Sequence, residues 1–128
     1  MNFPPDIAAR MKPLDVTHTF NSGVYTRTGR IEKGSVIVGF RHKVASVFTL
    51  ATGRVLIHDN IHGLRDISAP FSEVTQPGQQ RLGYVIETIT GCNILQTEQT
   101  DVAGVEAEMF EPLEVTPELI ARAQNLLA

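Results

Sequence analysis

Between Gly23 and Gln99 the chain is a succession of short β-branched and apolar runs, each closed by Gly, Pro, Asn or Asp. No long helical period interrupts them. Closely spaced short strands of this kind can bury an apolar face only as a sandwich or a barrel. The runs are Val24 to Ile31, Ser35 to Val38, Val44 to Leu50, Arg54 to His58, Leu82 to Thr90 and Cys92 to Leu95. Ser35 to Val38 is apolar on both faces, which suits a strand covered on both sides. With 128 residues and 42% hydrophobic content, the chain suits one domain with a real core.

The two ends read differently. Residues 1–18 form an arm, in which Pro4 and Pro5 start a short helix through Ile7, Ala8 and Met11 that ends near Pro13. Residues 19–99 form the β-domain, and residues 100–128 an acidic helical tail. Thr100-Asp101 begins a short helix through Val102, Val105 and Phe110, weakened by Gly104. Thr116-Pro117-Glu118 starts a second helix with a hydroxyl cap, a proline at the first helical position and a carboxylate at the positive dipole end. Leu119, Ile120, Ala123, Leu126 and Leu127 mark its apolar face. A helix this short is marginal alone in water, so that face either covers the barrel or pairs with another chain. For the second case the candidate contacts are Ile7 and Met11 together with those five residues, and a homo-oligomer is expected.

A net charge of -3 argues against general nucleic-acid binding. The charge is uneven: eight of the eleven basic residues lie between Arg10 and Arg54, whereas Glu98 to Glu118 holds seven carboxylates and no base. Either the acidic tail is solvated, or it meets basic barrels within an oligomer. Cys92 is the only cysteine, which rules out an intrachain disulfide and suits a small buried hydrophobe. Neither a membrane-length apolar run nor a signal peptide is present, so no membrane partner and no secretion are expected.

Gly34 to Gly53, with Phe40, His42 and Ser46 inside it, followed by Pro77-Gly78-Gln79-Gln80-Arg81, resembles the two sequence motifs of the cupin family. The resemblance implies a mainly β fold: a small double-stranded β-helix, or jelly-roll, barrel with a short N-terminal arm and a C-terminal helix. It also implies a metal site built from His, His and Glu of the first motif and His of the second. On this chain those positions hold Phe40, His42, Ser46 and Arg81. A catalytic divalent ion wants about three N, O or S ligands, and only His42 qualifies. No metal and no other cofactor is therefore expected.

A finer resemblance runs over approximately residues 20 to 110. It rests on Gly23-Val24-Tyr25, Ile31-Glu32-Lys33-Gly34, His42-Lys43, Gly53-Arg54-Val55, Ala69-Pro70-Phe71, Pro77-Gly78, Arg81-Leu82-Gly83-Tyr84 and Thr97 to Asp101. These segments are similar to small cupin-like proteins of tailed bacteriophages. That likeness implies a host-cytoplasm or virion setting, with other virion proteins as partners.

Alternation between Arg41 and Lys43 puts His42 on the inner face with Phe40. His42, Ser46, Arg81 and Tyr84 are the candidate ligand-binding residues of the lumen, Arg81 through its fork of donors. The plain alternative makes His42 an interior histidine and pairs Arg81 with Glu87 or another carboxylate. His58 and His62 flank a turn, a poor spacing for a shared metal outside a helix. No catalytic residue is assigned. Three readings follow: a non-enzymatic phage-type structural protein that self-associates through its termini, a module that binds an anionic metabolite or sugar in the lumen, and a metal-independent isomerase using His42 with Tyr84.

Overall fold

The computed structural model describes residues 1–128. In chain order the elements are α1 (Pro5–Ala8), β1 (Asp15–Asn21), β2 (Val24–Ile31), β3 (Val36–Val38), β4 (Ser46–Asp59), β5 (Gly63–Ser68), β6 (Phe71–Thr75), β7 (Arg81–Gln96), α2 (Val102–Met109) and α3 (Pro117–Leu126). All strand pairs are antiparallel. The sheet runs β1-β2-β7-β4-β5, with β3 also pairing β7 and β6 also pairing β4. The long strands β4 and β7 pair with each other and each serves two further neighbours, which curls the sheet into a barrel.

The β-rich, barrel-like reading holds; the runs Leu82 to Thr90 and Cys92 to Leu95 join as one strand, β5 and β6 lie where no run was read, and two further boundaries move. Asp15 to Asn21, mostly assigned to the arm, is a strand in register with Arg30 to Val24. Its Val16, His18 and Phe20 alternate with more exposed polar neighbours, a period-2 pattern. The connection through Ser22 and Gly23 has both residues at positive φ, 52° and 77°, the two-residue hairpin turn that matches strand twist. The second change is at Gly53. Rather than ending a strand, it sits inside β4, where the register against β7 shifts repeatedly between Leu50 and Val55. Its φ is 90°, and a Cβ there would overlap the Thr88 carbonyl. A glycine bulge thus bends one continuous strand where the sequence suggested two.

Three apolar clusters hold the molecule together. Val55, Ile57, Ile67, Val85, Leu50 and Ile89 fill part of the barrel interior. Tyr25 and Leu95, paired across β2 and β7, meet Val105 and Met109 of α2. Helix α2 starts at Asp101, whose Oδ1 accepts the Gly104 N–H at 2.7 Å, and it covers one end of the lumen.

The third cluster lies on the outside of β3 and β7. Val36 and Leu82 pack there against Ile7, Leu119, Ala123 and Leu126, with Met11 and Leu127 at the edge. The Thr116 hydroxyl caps α3 by accepting the Leu119 N–H at 3.1 Å. Burial within the chain corrects the assignment of Ile7, Leu119, Ala123 and Leu126 to contacts between copies, while Met11 and Leu127 stay half-buried. Ile7 and Ala123 are wholly buried within their own chain, Leu119 and Leu126 nearly so, and Ile120 stays half-buried. The barrel offers each terminal helix an apolar wall, and folding back onto it costs no association entropy. The acidic tail likewise meets its own barrel: Glu106 approaches Arg27 at 3.5 Å, Glu111 approaches Arg41 at 3.7 Å, and Lys43 donates to the Ala107 carbonyl. No helix is long and apolar enough to cross a membrane.

Candidate functional site

Strand alternation decides what enters the barrel. Arg81, Gly83, Ile89, Gly91 and Asn93 of β7 line a cavity together with Arg27 and Gly29 of β2 and Phe48 and Leu50 of β4. The cavity is about 210 Å³, and thirteen of its twenty-one lining residues are hydrophobic, which makes it a predominantly apolar chamber. Phe40 and Phe110, with ring centroids 5.3 Å apart, stand in its wall, and Phe40 is partly exposed.

Four polar side chains interrupt the apolar wall: Arg27, His42, Arg81 and Asn93. His42 is not in a regular strand, as alternation with Arg41 and Lys43 had suggested. It forms a single antiparallel bridge with Phe110, and its ring meets the Phe110 ring edge-on at 5.1 Å. It is nonetheless buried, at 8% exposure. Burial first, and the positive charge of Arg81 second, push its pKa down to about 4, so the imidazole is neutral at pH 7. His42 Nδ1, Arg81 Nε and Asn93 Oδ1 have no hydrogen-bond partner within the chain. Such atoms are rare in interiors, because each costs about 1–3 kcal/mol when left unmet.

Arg81 is held by a network that the sequence did not reveal. Its Nη2 donates to Glu73 at 2.8 Å and its Nη1 to the Thr75 hydroxyl at 2.8 Å, while its guanidinium lies 4.6 Å from the Phe48 ring centroid. Arg65 donates to both Glu73 and Asp59 at 3.0 Å. Burial alone would raise the Asp59 pKa, but the backbone N–H groups of His62 and Ile61 and the His62 side chain hold it well below the usual carboxylate range. Glu73 is held low in the same way: hydrogen bonds and charge from Arg65 and Arg81 outweigh its burial. The expected structural pairing of Arg81 is therefore present, with Glu73 in place of Glu87.

The candidate lumen residues separate. His42 and Arg81 both line the cavity. Ser46 is buried opposite Thr75, its hydroxyl unpartnered, but it is not in the cavity wall. Tyr84 is a correction. Next to the inward Gly83, it packs on the outer face with Leu82 and Leu56, and Arg10 lies 5.9 Å from its ring centroid. Tyr84 and His42 are thus not brought together, and the acid–base pair imagined for an isomerase does not form. Sequence reasoning missed Arg27 and Asn93. Asn93 was detectable as the one polar residue in the inward series Ile89, Gly91, Asn93, Leu95.

No family model matches the chain, and no curated protein matches it. Solved structures do. A cupin 2 domain-containing protein from Halorhodospira halophila aligns with TM-score 0.64 and 10% identity, covering 89% of this chain and 78% of its own. A double-stranded beta-helix domain protein from Klebsiella pneumoniae aligns with TM-score 0.57 and 12% identity over 74% of this chain and 84% of its own. The fold is the cupin double-stranded β-helix. Salicylate 1,2-dioxygenase from Pseudoaminobacter salicylatoxidans shares it as well, at TM-score 0.59 and 9% identity, with 75% of this chain matching 27% of the enzyme. At such identities the likeness carries the fold alone.

That fold commonly carries a metal, and the residues here do not fit one. At the four corresponding positions, His42 is the sole nitrogen ligand, Phe40 offers none, Ser46 lies outside the cavity wall, and Arg81 brings a fixed positive charge bound to Glu73. Asp59, His62 and Glu73 do gather their ligand atoms within 4.8 Å of one another. Arg65 already bridges the two carboxylates, and Gln79 donates to Asp59 at 3.3 Å. This cluster is an internal ion network, with its lone pairs committed to protein donors.

Proposed function

We propose that this protein is a small-molecule binding module whose ligand lies inside the barrel, between Phe48, His42, Arg81 and Asn93. One observation carries the reading: an apolar cavity of about 210 Å³ inside the barrel, its wall interrupted by the polar residues Arg27, His42, Arg81 and Asn93. Binding sites combine apolar walls with a few convergent polar groups, whereas a purely structural core closes such gaps. No chemical step is assigned to these residues. Neutral His42 lacks an acid partner in the lumen, and the positive charge of Arg81 works against its protonation.

The other expectation, a virion accessory or assembly component among tailed-phage proteins, draws its support from sequence resemblance. The apolar faces of the terminal helices, which would serve self-association, pack largely within the chain. Assembly would therefore need a different surface.

Native mass spectrometry of protein purified without denaturation, with thermal unfolding across a metabolite panel, tests the binding reading. A retained small molecule or a saturable rise in Tm is expected, abolished by Ile89→Phe, which places a larger ring in the chamber. If no compound of any class stabilises the protein and none co-purifies, the binding reading fails.

A further inference from the structure

The open surface of the chamber selects among ligands. Resting on the binding reading above, we infer that the ligand is an uncharged, apolar molecule about the size of one alkyl-substituted ring, and is neither an anion nor a sugar. Size comes first. An apolar cavity of roughly 150 Å³ holds benzene, so about 210 Å³ gives room for a ring and a short alkyl group. Phe48, Ile31, Ile37, Ile57 and Ile89 supply aromatic and aliphatic surface for such a body. Leu14 and Phe40 belong to the same wall and are 47% and 38% exposed, so the chamber meets solvent at apolar side chains.

The polar residues of the wall leave this character unchanged. His42 Nδ1, Arg81 Nε and Asn93 Oδ1 are each almost fully shielded from solvent, and so from anything bound in the open space. The other two Arg81 nitrogens are committed to Glu73 and to the Thr75 hydroxyl, each at 2.8 Å. What remains for a ligand to touch is mainly carbon.

Charge points the same way. Arg81 belongs to a network of two guanidiniums, Arg65 and Arg81, against two carboxylates, Asp59 and Glu73, which sums to zero. Arg27 faces Glu106 at 3.5 Å, and His42 is neutral at pH 7. A carboxylate entering from water would lose its hydration and find no unmatched positive charge to replace it. A sugar would bring several hydroxyls to a wall with few partners, leaving most of them unmet.

Gly29 offers a way to fill the chamber without breaking the barrel. It lies in β2 and in the chamber wall, and a Cβ there would meet only the Asp15 carbonyl oxygen at 3.8 Å and Val16 Cγ2 at 3.9 Å. Both are ordinary contact distances. Valine suits a strand better than glycine does, and its methyl groups would take up space that a ligand needs.

Calorimetric titration of the full-length protein with toluene, benzoate, benzylammonium and glucose tests the inference. Toluene is expected to bind one per chain, benzoate and benzylammonium at least about tenfold more weakly because each must shed its hydration, and glucose more weakly still. In Gly29→Val, toluene affinity should fall about tenfold through overfilling, while an unchanged or raised Tm shows that the variant is folded. Ile89→Phe, which fills the chamber from β7, should weaken toluene in the same direction. Benzoate, benzylammonium or glucose binding as tightly as toluene would overturn the apolar-ligand inference while leaving the chamber a binding site. Toluene affinity unchanged in both variants would put the probe outside the chamber and overturn it too. If none of the four probes binds, the inference falls, and the metabolite panel then decides whether the binding reading falls with it.

Discussion

The two faces of β7 face opposite problems. On the outside, Leu82 and Tyr84 lie beneath α1 and α3, and the apolar surface is matched by apolar surface. The helix capped there has its first turn satisfied by Thr116. On the inside, one residue along in each direction, Arg81 and Gly83 line a chamber that the chain leaves unfilled. The same strand therefore supports a finished interface and an unfinished one. The outer layer is built for stability alone. Part of the inner layer gives up stability by leaving a cavity open, a pattern that marks sites of function.

Substitutions can break or sharpen this contrast. The largest effect is expected for Glu73→Gln, which leaves Arg81 without its carboxylate and Arg65 with only Asp59. Loss of one partner from this part-buried ion network costs about 3 kcal/mol, the lower end of what a fully buried one loses, read from chemical denaturation, and ligand affinity should fall as well because Arg81 is freed to move. Leu119→Ala should cost about 3 kcal/mol, from a nearly fully buried side chain in the outer layer, with ligand affinity unchanged. If Leu119→Ala weakens binding as much as it weakens the fold, the two faces are not independent.

A pH series separates the inner residues. His42 has a depressed folded pKa, about 4 against 6.5 in the unfolded chain. Between those values the unfolded chain takes up a proton that the folded protein refuses, so stability should fall as pH drops from 6.5 to 4. His42→Phe should flatten that slope. Asp59 and Glu73 are depressed carboxylates, so their contributions hold above the ordinary carboxylate range and are lost only below it. A slope between pH 6.5 and 4 that survives in His42→Phe would assign it elsewhere. The smallest change is expected for Thr116→Ala, about 1 kcal/mol from the lost cap, again without effect on binding.

How far the sequence reached follows the range of the interactions involved. Local chemistry was legible: the Thr116-Pro117 cap and the helix opening at Asp101 appear where their residues predict, and the β-branched runs fall largely within strands, though not with their limits. The continuity of β4 through Gly53 was not, because a glycine that ends a strand and one that bulges it look alike until the partner strand is placed. The docking of α3 was similarly hidden. Its apolar face requires a cover, but amphipathicity does not say whether the cover is the same chain. Within the site, resemblance to the cupin motifs led to His42 and Arg81, and both face the chamber. It misplaced Tyr84, which the alternation from Gly83 turns outward. Glu73 and Asp59 come from β6 and the end of β4, and only the closed barrel brings them to Arg81 and Arg65.

The most direct test of the central claim is a methyl-resolved NMR titration of the intact protein with a compound from the metabolite panel that raises its Tm. Ile37, Leu50, Ile57 and Ile89 line the chamber, whereas Leu119 and Leu126 lie in the outer layer. Saturable shifts confined to the first group are predicted, with the Asn93 side-chain amide moving in step. Shifts centred on Leu119 and Leu126, or none at any concentration, would contradict the account.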